Sequence, residues 1–199
     1  MPPARKQGQR SVILKKIQAA ARELFEPQGY APTSIEMIAR QAEISVGAVY
    51  LYFKSKEDLY ASLIPHWLEE LHEMLAYTGA GAVLPFDEVN GALARWRQQR
   101  PEGAHALVFL GQPGLHLKFS PTVLADVLRA IEGIKTEITR HMAPGKPAAV
   151  QRAHADLVWT MFVGNTSVDL SFLNLIGPTA ARPDYDELSG SLASLMQEP

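Results

Sequence analysis

The sequence contains no cysteine, which excludes disulfide bonds, thiolate metal sites and cysteine nucleophiles. It also has no apolar run approaching the roughly 18 residues of a membrane-spanning helix. Charged residues make up only 20% of the chain, too few for a disordered polypeptide. The basic N-terminus is not followed by a secretory apolar core and cleavage site, so we expect a cytoplasmic protein without a membrane partner.

Catalytic and cofactor motifs are absent as well. The six histidines form no HExxH motif, and no GxSxG, GxGxxG or phosphate-loop sequence occurs. His66 and His72 are six residues apart, which places them on different sides of a helix. We therefore expect no metal site, no cofactor and no catalytic residue, and a helical enzyme remains the least favoured alternative.

Charge is distributed unevenly along the chain. Residues 1–60 carry nine lysines and arginines against six acids, whereas the remaining residues carry ten against 15. The first 22 residues contain six basic side chains and no acid. This asymmetry suggests a polyanionic partner for one end of the chain, although a solubilising basic tail explains it equally well.

Helical periodicity dominates the N-terminal third. Apolar residues recur along residues 11–26 at the spacing of one helix face, and Pro27 and Gly29 are expected to end that helix. Thr33, followed three residues later by Glu36, forms a capping box that predicts a second, short helix.

Two further N-caps follow. Ser45 is placed to cap a third helix over residues 46–52, and Ser55 to cap a fourth over residues 57–76, which Pro65 should kink. Short second and third helices joined by about four residues are typical of a helix-turn-helix, whose second helix enters the major groove of DNA.

The remainder of the chain also has a helical pattern. We predict further helices near residues 86–99, 102–112, 121–142, 147–175 and 184–197, and no segment shows sustained strand-like alternation. The fold class is therefore all-α with about nine helices. We expect a three-helix DNA-binding domain at residues 10–64 and a larger helical ligand-binding and dimerisation domain at residues 65–199.

Several of these motifs occur in an order that resembles the signature of the TetR family of transcriptional repressors. The resemblance covers about residues 11–64 and rests on AARELF (20–25), GY (29–30), TSI (33–35), IA (38–39), ISVGAVYLYF (44–53) and KSKEDL (54–59). Pro27 departs from the family pattern and is expected to shorten the first helix. The resemblance implies a homodimeric repressor that binds a palindromic operator in double-stranded DNA and is released by a small molecule. The scarcity of interior charge favours a hydrophobic or amphipathic effector. A non-specific architectural DNA-binding protein is the main alternative.

The resemblance and the helix-turn-helix together nominate a set of DNA contacts. Hydroxyls at a helix N-terminus suit phosphate, the first residues of the recognition helix approach bases, and a lysine at the start of the next helix suits phosphate. Arg5, Lys6 and Arg10 either form a loose arm along the DNA backbone or into its minor groove, or are disordered. The nominated residues are Thr33, Ser34, Ser45, Val46, Gly47, Ala48, Tyr50, Tyr52 and Lys56.

Two weaker sets concern the C-terminal region. Scattered aromatic residues could line an apolar ligand pocket or simply form core: Trp67, Trp96, Phe109, Phe119, Trp159 and Phe162. By resemblance, the last two helices are the dimer candidates, with small and apolar residues that suit close helix packing or packing within the chain: Gly164, Ser167, Val168, Ser171, Leu188, Leu192 and Leu195.

Overall fold

The computed structural model describes residues 4–77, 83–141 and 145–176. In these ranges the chain is all-α, as predicted, and contains no strand. The elements are α1 (Ala4–Gln28), α2 (Ile35–Gln41), α3 (Val46–Tyr50), α4 (Lys56–Ala61), α5 (Ile64–Tyr77), α6 (Phe86–Gln99), α7 (Pro101–Leu110), the 3-10 helix η1 (Leu115–Lys118), α8 (Pro121–His141) and α9 (Ala148–Ile176). No helix in the described ranges is long and apolar enough to cross a membrane. The predicted helix at 184–197 lies outside the described residues.

The chain divides into two compact units. The first comprises the described residues up to Pro65 together with Leu110–Val127, and the second comprises His66–Phe109 and the described residues from Leu128 onward. The first unit thus combines the N-terminal helices with residues 110–127. The division into domains at residues 10–64 and 65–199 stays a prediction.

The first unit is held together by a small apolar core beneath the helix-turn-helix. Buried side chains come from every helix of this region: Ile17, Ala21, Phe25, Ile38, Val49, Phe53 and Leu59. The side-chain amide of Gln18 also donates to the carbonyl of Ser62 at 3.2 Å, which ties α1 to the end of α4. This core sets the orientation of α2 and α3 with respect to α1.

The end of α1 differs from the prediction. Pro27 lies inside the helix, which continues to Gln28 and ends where Gly29 adopts φ 80°. The N–H of Gly29 donates to the carbonyl of Phe25 at 2.8 Å. The prediction that Pro27 shortens α1 was wrong because a proline in the last turn removes a single helical hydrogen bond.

The predicted single helix over residues 57–76 is two helices. α4 ends at Ala61, and α5 begins at Ile64. In a continuous helix the ring of Pro65 would collide with the carbonyl of Ala61 and leave it without a donor. Pro65 instead occupies the first turn of α5, where a backbone N–H has no helical partner in any case. The expected kink is therefore a complete break.

The second unit has a tightly packed aromatic core. The indole N–H of Trp96 donates to the carbonyl of Trp67 at 3.0 Å, and both side chains are fully buried. A Cβ added at Gly103 would lie 3.0 Å from the Trp96 ring and 3.1 Å from Trp67. Gly103 is therefore the residue that lets α7 approach these two tryptophans.

Candidate nucleic-acid interface

The N-terminus of α2 is capped by Ser34. Its hydroxyl accepts a hydrogen bond from the N–H of Met37 at 3.2 Å. The prediction of Thr33 as the cap was wrong by one residue. Thr33 is only 1% exposed, and its hydroxyl donates to the carbonyl of Gly29 at 2.9 Å and accepts from Gln28 at 3.0 Å. Ser34 is thus better placed than Thr33 to meet a phosphate.

The turn between α2 and α3 is tight and contains a strained residue. Glu43 adopts φ 51°, the left-handed region that disfavours most side chains. Its carboxylate accepts from Lys16 of α1 at 2.9 Å, and this hydrogen bond with the lysine charge lowers the pKa of Glu43 below its ordinary value. This exposed ion pair links the turn to α1.

The recognition helix α3 has the predicted cap. The hydroxyl of Ser45 accepts from the N–H of Ala48 at 3.1 Å. Val46 and Ala48 are half-buried, and Gly47 is exposed. Apart from the chain neighbours and the backbone of α3, the nearest atom of the described residues to a Cβ built at Gly47 would be the Ser45 hydroxyl oxygen, at 4.0 Å. The protein itself therefore has room for a side chain at this position.

The aromatic end of α3 separates into an inner and an outer face. Val49 and Phe53 are buried, as predicted, whereas Tyr50 is 52% exposed and Tyr52 is half-buried. Leu51, which we did not nominate, is 76% exposed. A residue two positions from Val49 lies about 200° around a helix, so burial of Val49 directs Leu51 outward. The two-residue spacing from Val49 was therefore sufficient to nominate Leu51 as a surface residue.

Arg10 lies beside the recognition helix. Its guanidinium carbon is 5.7 Å from the centroid of the Tyr52 ring, within the range of a cation–π contact. Arg10 and Tyr52, with Gln9, Ile13 and Leu51, line an open hollow of about 390 Å³ in the first unit. The structure therefore brings α1, with its excess of basic residues, to the same surface as the end of α3.

Lys56 opens α4 and is held by two contacts in the first unit. Its ammonium lies 4.0 Å from the centroid of the Tyr30 ring and donates to the carbonyl of Ala31 at 3.3 Å. Burial lowers the pKa of Lys56, although the negative charge of Glu57 opposes this effect. Burial, with a smaller contribution from the Glu57 charge, raises the pKa of Tyr30 to about 12.

The N-terminal helices that form this surface match a known family. Residues 17–63 match the family described as bacterial regulatory proteins, tetR family. The chain carries a TetR-family N-terminal domain. The match includes α2, the turn and α3, which are the elements that form the surface just described.

Individual relatives support the TetR-type domain over different lengths. The uncharacterised HTH-type transcriptional regulator YuxN of Bacillus subtilis is 41% identical over 56 residues, which is 28% of this chain and 19% of YuxN. Two other curated relatives are covered over 32% and 29% of their length, so the chain spans well under two thirds of each of the three.

Solved structures show the same fold along most of the chain. A TetR transcriptional regulator from Rhodococcus sp. RHA1 has a TM-score of 0.64 at 18% identity, over 95% of this chain and 97% of that one. FadR of Thermus thermophilus, a TetR-family repressor in complex with lauroyl-CoA, has a TM-score of 0.60 at 17% identity, over 94% of this chain and 95% of its own.

The six nominated pocket residues are divided between the two units. Phe119 belongs to the first unit, whereas the others belong to the second. Trp96 and Trp159 both contact Phe162, with ring centroids 6.0 and 5.7 Å apart, and Phe109 is half-buried. An open groove of about 800 Å³ in the second unit is lined by other residues, namely Glu70, Glu73, Met74, Ala76, Gln99 and Arg100.

The nominated dimer residues are only partly described. On α9, Gly164 is exposed, Val168 is 50% exposed and Ser167 is half-buried. The side chain of Ser171 is outside the described part of the structure, as are Leu188, Leu192 and Leu195 altogether. Val150 and Leu157 are also exposed, and their spacing from Gly164 and Val168 places all four on one face of α9.

Proposed function

We propose that this chain is a transcriptional regulator that binds a palindromic operator through its TetR-type domain. The observation that carries the proposal is the surface formed by the capped N-termini of α2 and α3, the exposed Tyr50 and the half-buried Lys56. Free N–H groups at helix N-termini favour phosphate, and the start of a recognition helix is the part that approaches base edges.

Few side chains on this surface can identify a base by hydrogen bonding. Val46 and Ala48 have no polar group, so their contacts are limited to apolar groups such as thymine methyls. Tyr50 and Ser45 carry one hydroxyl each. We therefore propose that the sequence preference arises from a few direct contacts together with the shape of the operator.

The test is selection of duplexes from a random-sequence DNA pool by the purified full chain. The proposal expects the recovered duplexes to share a palindromic pattern, and Tyr50→Phe and Ser45→Ala to weaken binding to them. Lys146→Gln, an exposed substitution in the second unit, is the matched control. Recovery of duplexes with no common pattern would instead favour an architectural DNA-binding protein.

We further propose that the regulator is a homodimer that uses the exposed face of α9. One helix-turn-helix contacts one half-site, so a palindromic operator requires two copies related by two-fold symmetry. The face combines apolar Val150, Leu157 and Val168 with Gly164. Apart from its chain neighbours and the backbone of α9, no atom of the described residues lies within 4 Å of a Cβ added at Gly164. A small residue at that point lets two helices approach closely.

Sedimentation equilibrium tests the dimer directly. We expect the wild-type chain to be dimeric and Leu157→Arg to be monomeric, because a charge would be buried without a partner. Leu117→Arg is the matched control, since Leu117 is 77% exposed and lies in the first unit. A dimer unchanged by Leu157→Arg would exclude this face, and a monomeric wild-type chain would exclude the homodimer.

The effector is proposed to be a small hydrophobic or amphipathic molecule that binds the second unit. The open groove supports this because Met74 and Ala76 offer apolar surface beside the charges of Glu73 and Arg100. Lauroyl-CoA is a suitable first probe because it is bound by Thermus thermophilus FadR, which has the same fold. We expect it to release the protein from its selected duplex, with coenzyme A as the control. No release by lauroyl-CoA, free fatty acids or other amphiphiles would contradict this proposal.

A further inference from the structure

The first unit contains a buried carboxylate that joins two distant parts of the chain. Asp58 is 0% exposed. One of its oxygens, Oδ2, accepts from the N–H of Lys54 at 2.9 Å, and the other, Oδ1, accepts from the N–H of Ser120 at 2.8 Å. Lys54 lies in the turn between α3 and α4, whereas Ser120 directly precedes α8.

These two hydrogen bonds leave the carboxylate little freedom. A carboxylate that accepts from N–H groups forms stronger hydrogen bonds than a neutral acceptor does. Loss of either donor would leave a buried charged oxygen without compensation, which is costly. The positions of the two backbone segments are therefore closely coupled through Asp58.

Neighbouring contacts reinforce the same junction. The ammonium of Lys54 donates to the carbonyl of Phe119 at 3.3 Å, and Lys118 forms an ion pair with Glu57. Partial burial raises the pKa of Glu57, but hydrogen bonds from Lys118, its own backbone N–H and Ser55 outweigh this and leave it below its ordinary value. Residues 115–120 are thus bound to the start of α4 by both side-chain and backbone contacts.

The junction lies next to the proposed DNA surface. Lys54 is four residues from Tyr50, and Lys56 is two residues from Asp58. The Asp58 carboxylate does not face DNA, since it is buried, and its own N–H is occupied by the Ser55 hydroxyl at 3.1 Å. Its contacts act on the backbone that positions the end of α3 and the first turn of α4.

We propose that Asp58 is a positioning residue for DNA recognition, and that residues 115–120 form the support against which it holds the α3–α4 turn. The inference rests on the proposed operator binding. It assigns to residues 115–120 a part in DNA affinity although they precede α8 and lie far from the helix-turn-helix in sequence. A displacement of Ser120 would then alter the α3–α4 turn through two hydrogen bonds.

Ser120 offers a matched pair of variants that leaves α4 untouched. Ser120→Pro removes the N–H that Asp58 accepts, whereas Ser120→Ala keeps it. Both variants lose the hydroxyl that accepts from the N–H of Val123 at 3.3 Å, so the difference between them reports the loss of the N–H to Asp58 together with the fixed φ of proline. Asp58→Asn is a third variant, because its amide can present only one acceptor oxygen to the two donors.

The measurement is the ratio of affinities for a duplex selected by the wild-type chain and for a scrambled duplex, below the onset of unfolding of every variant. We expect Ser120→Pro and Asp58→Asn to lower this ratio by about tenfold, equivalent to about 1.4 kcal/mol, with Ser120→Ala close to wild type. If Asp58 and Ser120 had a purely structural role, the variants would have a lower melting temperature. The folded protein would keep the wild-type ratio of affinities for the two duplexes.

The outcomes separate this inference from the proposed function. If the wild-type chain prefers its selected duplex and Ser120→Pro has the same ratio as Ser120→Ala, the positioning role is wrong and operator binding stands. If the wild-type chain shows no preference for any duplex, operator binding itself is wrong and the inference falls with it.

Discussion

The ammonium of Lys56 lies 4.0 Å from the centre of the Tyr30 ring, so the first residue of α4 is held against the segment that follows α1. The same ammonium donates to the carbonyl of Ala31. An ammonium has three N–H donors, so these contacts leave capacity for a phosphate oxygen. Lys56 is thereby pre-positioned, which reduces the entropy that it would lose on binding DNA.

Replacement of Lys56 by glutamine should weaken binding to all DNA sequences to a similar extent. A lysine that neutralises one phosphate contributes about one unit to the slope of log affinity against log salt. We expect the slope for Lys56→Gln to be smaller by about 1, as measured by fluorescence anisotropy over a salt series. Lys146→Gln, with the same change of charge in the second unit, should keep the wild-type slope. Equal slopes for the two variants would show that Lys56 does not contact phosphate.

The high pKa of Tyr30 predicts a loss of stability at alkaline pH. Burial raises the pKa of Tyr30 to about 12, whereas an unfolded tyrosine titrates near pH 10, so the folded state holds the phenolic proton more tightly. This contribution is complete below about pH 10 and is lost as the pH rises toward about 12. Urea denaturation of Tyr30→Phe across this window should show a shallower decline than the wild type, and identical declines would contradict the assignment.

Gly47→Ala should separate folding from DNA binding. The protein has space for the added methyl group, and alanine is favoured over glycine within a helix by about 0.5–1 kcal/mol. We therefore expect a small gain in stability together with weaker binding to the selected duplex, because the methyl group would lie between α3 and DNA. Gly133→Ala in α8, whose Cβ would lie 4.0 Å from His72, is the control for the helix effect. Unchanged affinity of Gly47→Ala would mean that α3 does not approach DNA at this residue.

Gly103→Ala should destabilise the second unit. The added Cβ would lie 3.0 Å from the buried Trp96 ring, and overpacking of a filled core costs about 1–3 kcal/mol. Chemical denaturation monitored by tryptophan fluorescence measures this difference, with Gly133→Ala again as the control. A stability equal to that of the control would show that the contact among Gly103, Trp67 and Trp96 is looser than described.

Sequence patterns between neighbouring residues predicted most of the helices. They failed where contacts with distant residues determine the structure. The caps at Ser45 and Ser55 and the bounds of α6 follow from neighbouring residues, and the structure contains them as predicted. Thr33 and Ser34 are adjacent hydroxyl residues that could both cap α2. The choice depends on the burial of Thr33 against Gly29, which a local pattern does not include.

The same limit applies to the candidate site. Helix spacing and the family signature are contiguous sequence patterns. They are therefore sufficient to nominate Ser45, Gly47, Tyr50 and Lys56 as candidates. The hydrogen bond between Asp58 and Ser120 joins residues separated by 62 positions. The sequence around either residue contains no pattern that predicts this contact. The prediction of a kink at Pro65 was wrong, since the position of this proline in a first turn depends on where the preceding helix ends.

The most direct test of operator recognition compares the affinity of the full chain for its selected palindromic duplex with that for a scrambled duplex at several salt concentrations. Specific recognition predicts a preference of at least about a thousandfold at physiological salt. It also predicts that Tyr50→Phe and Ser45→Ala reduce this preference, whereas Lys146→Gln does not. Equal, strongly salt-dependent binding to both duplexes would contradict operator recognition and would leave only non-specific attraction to the phosphate backbone.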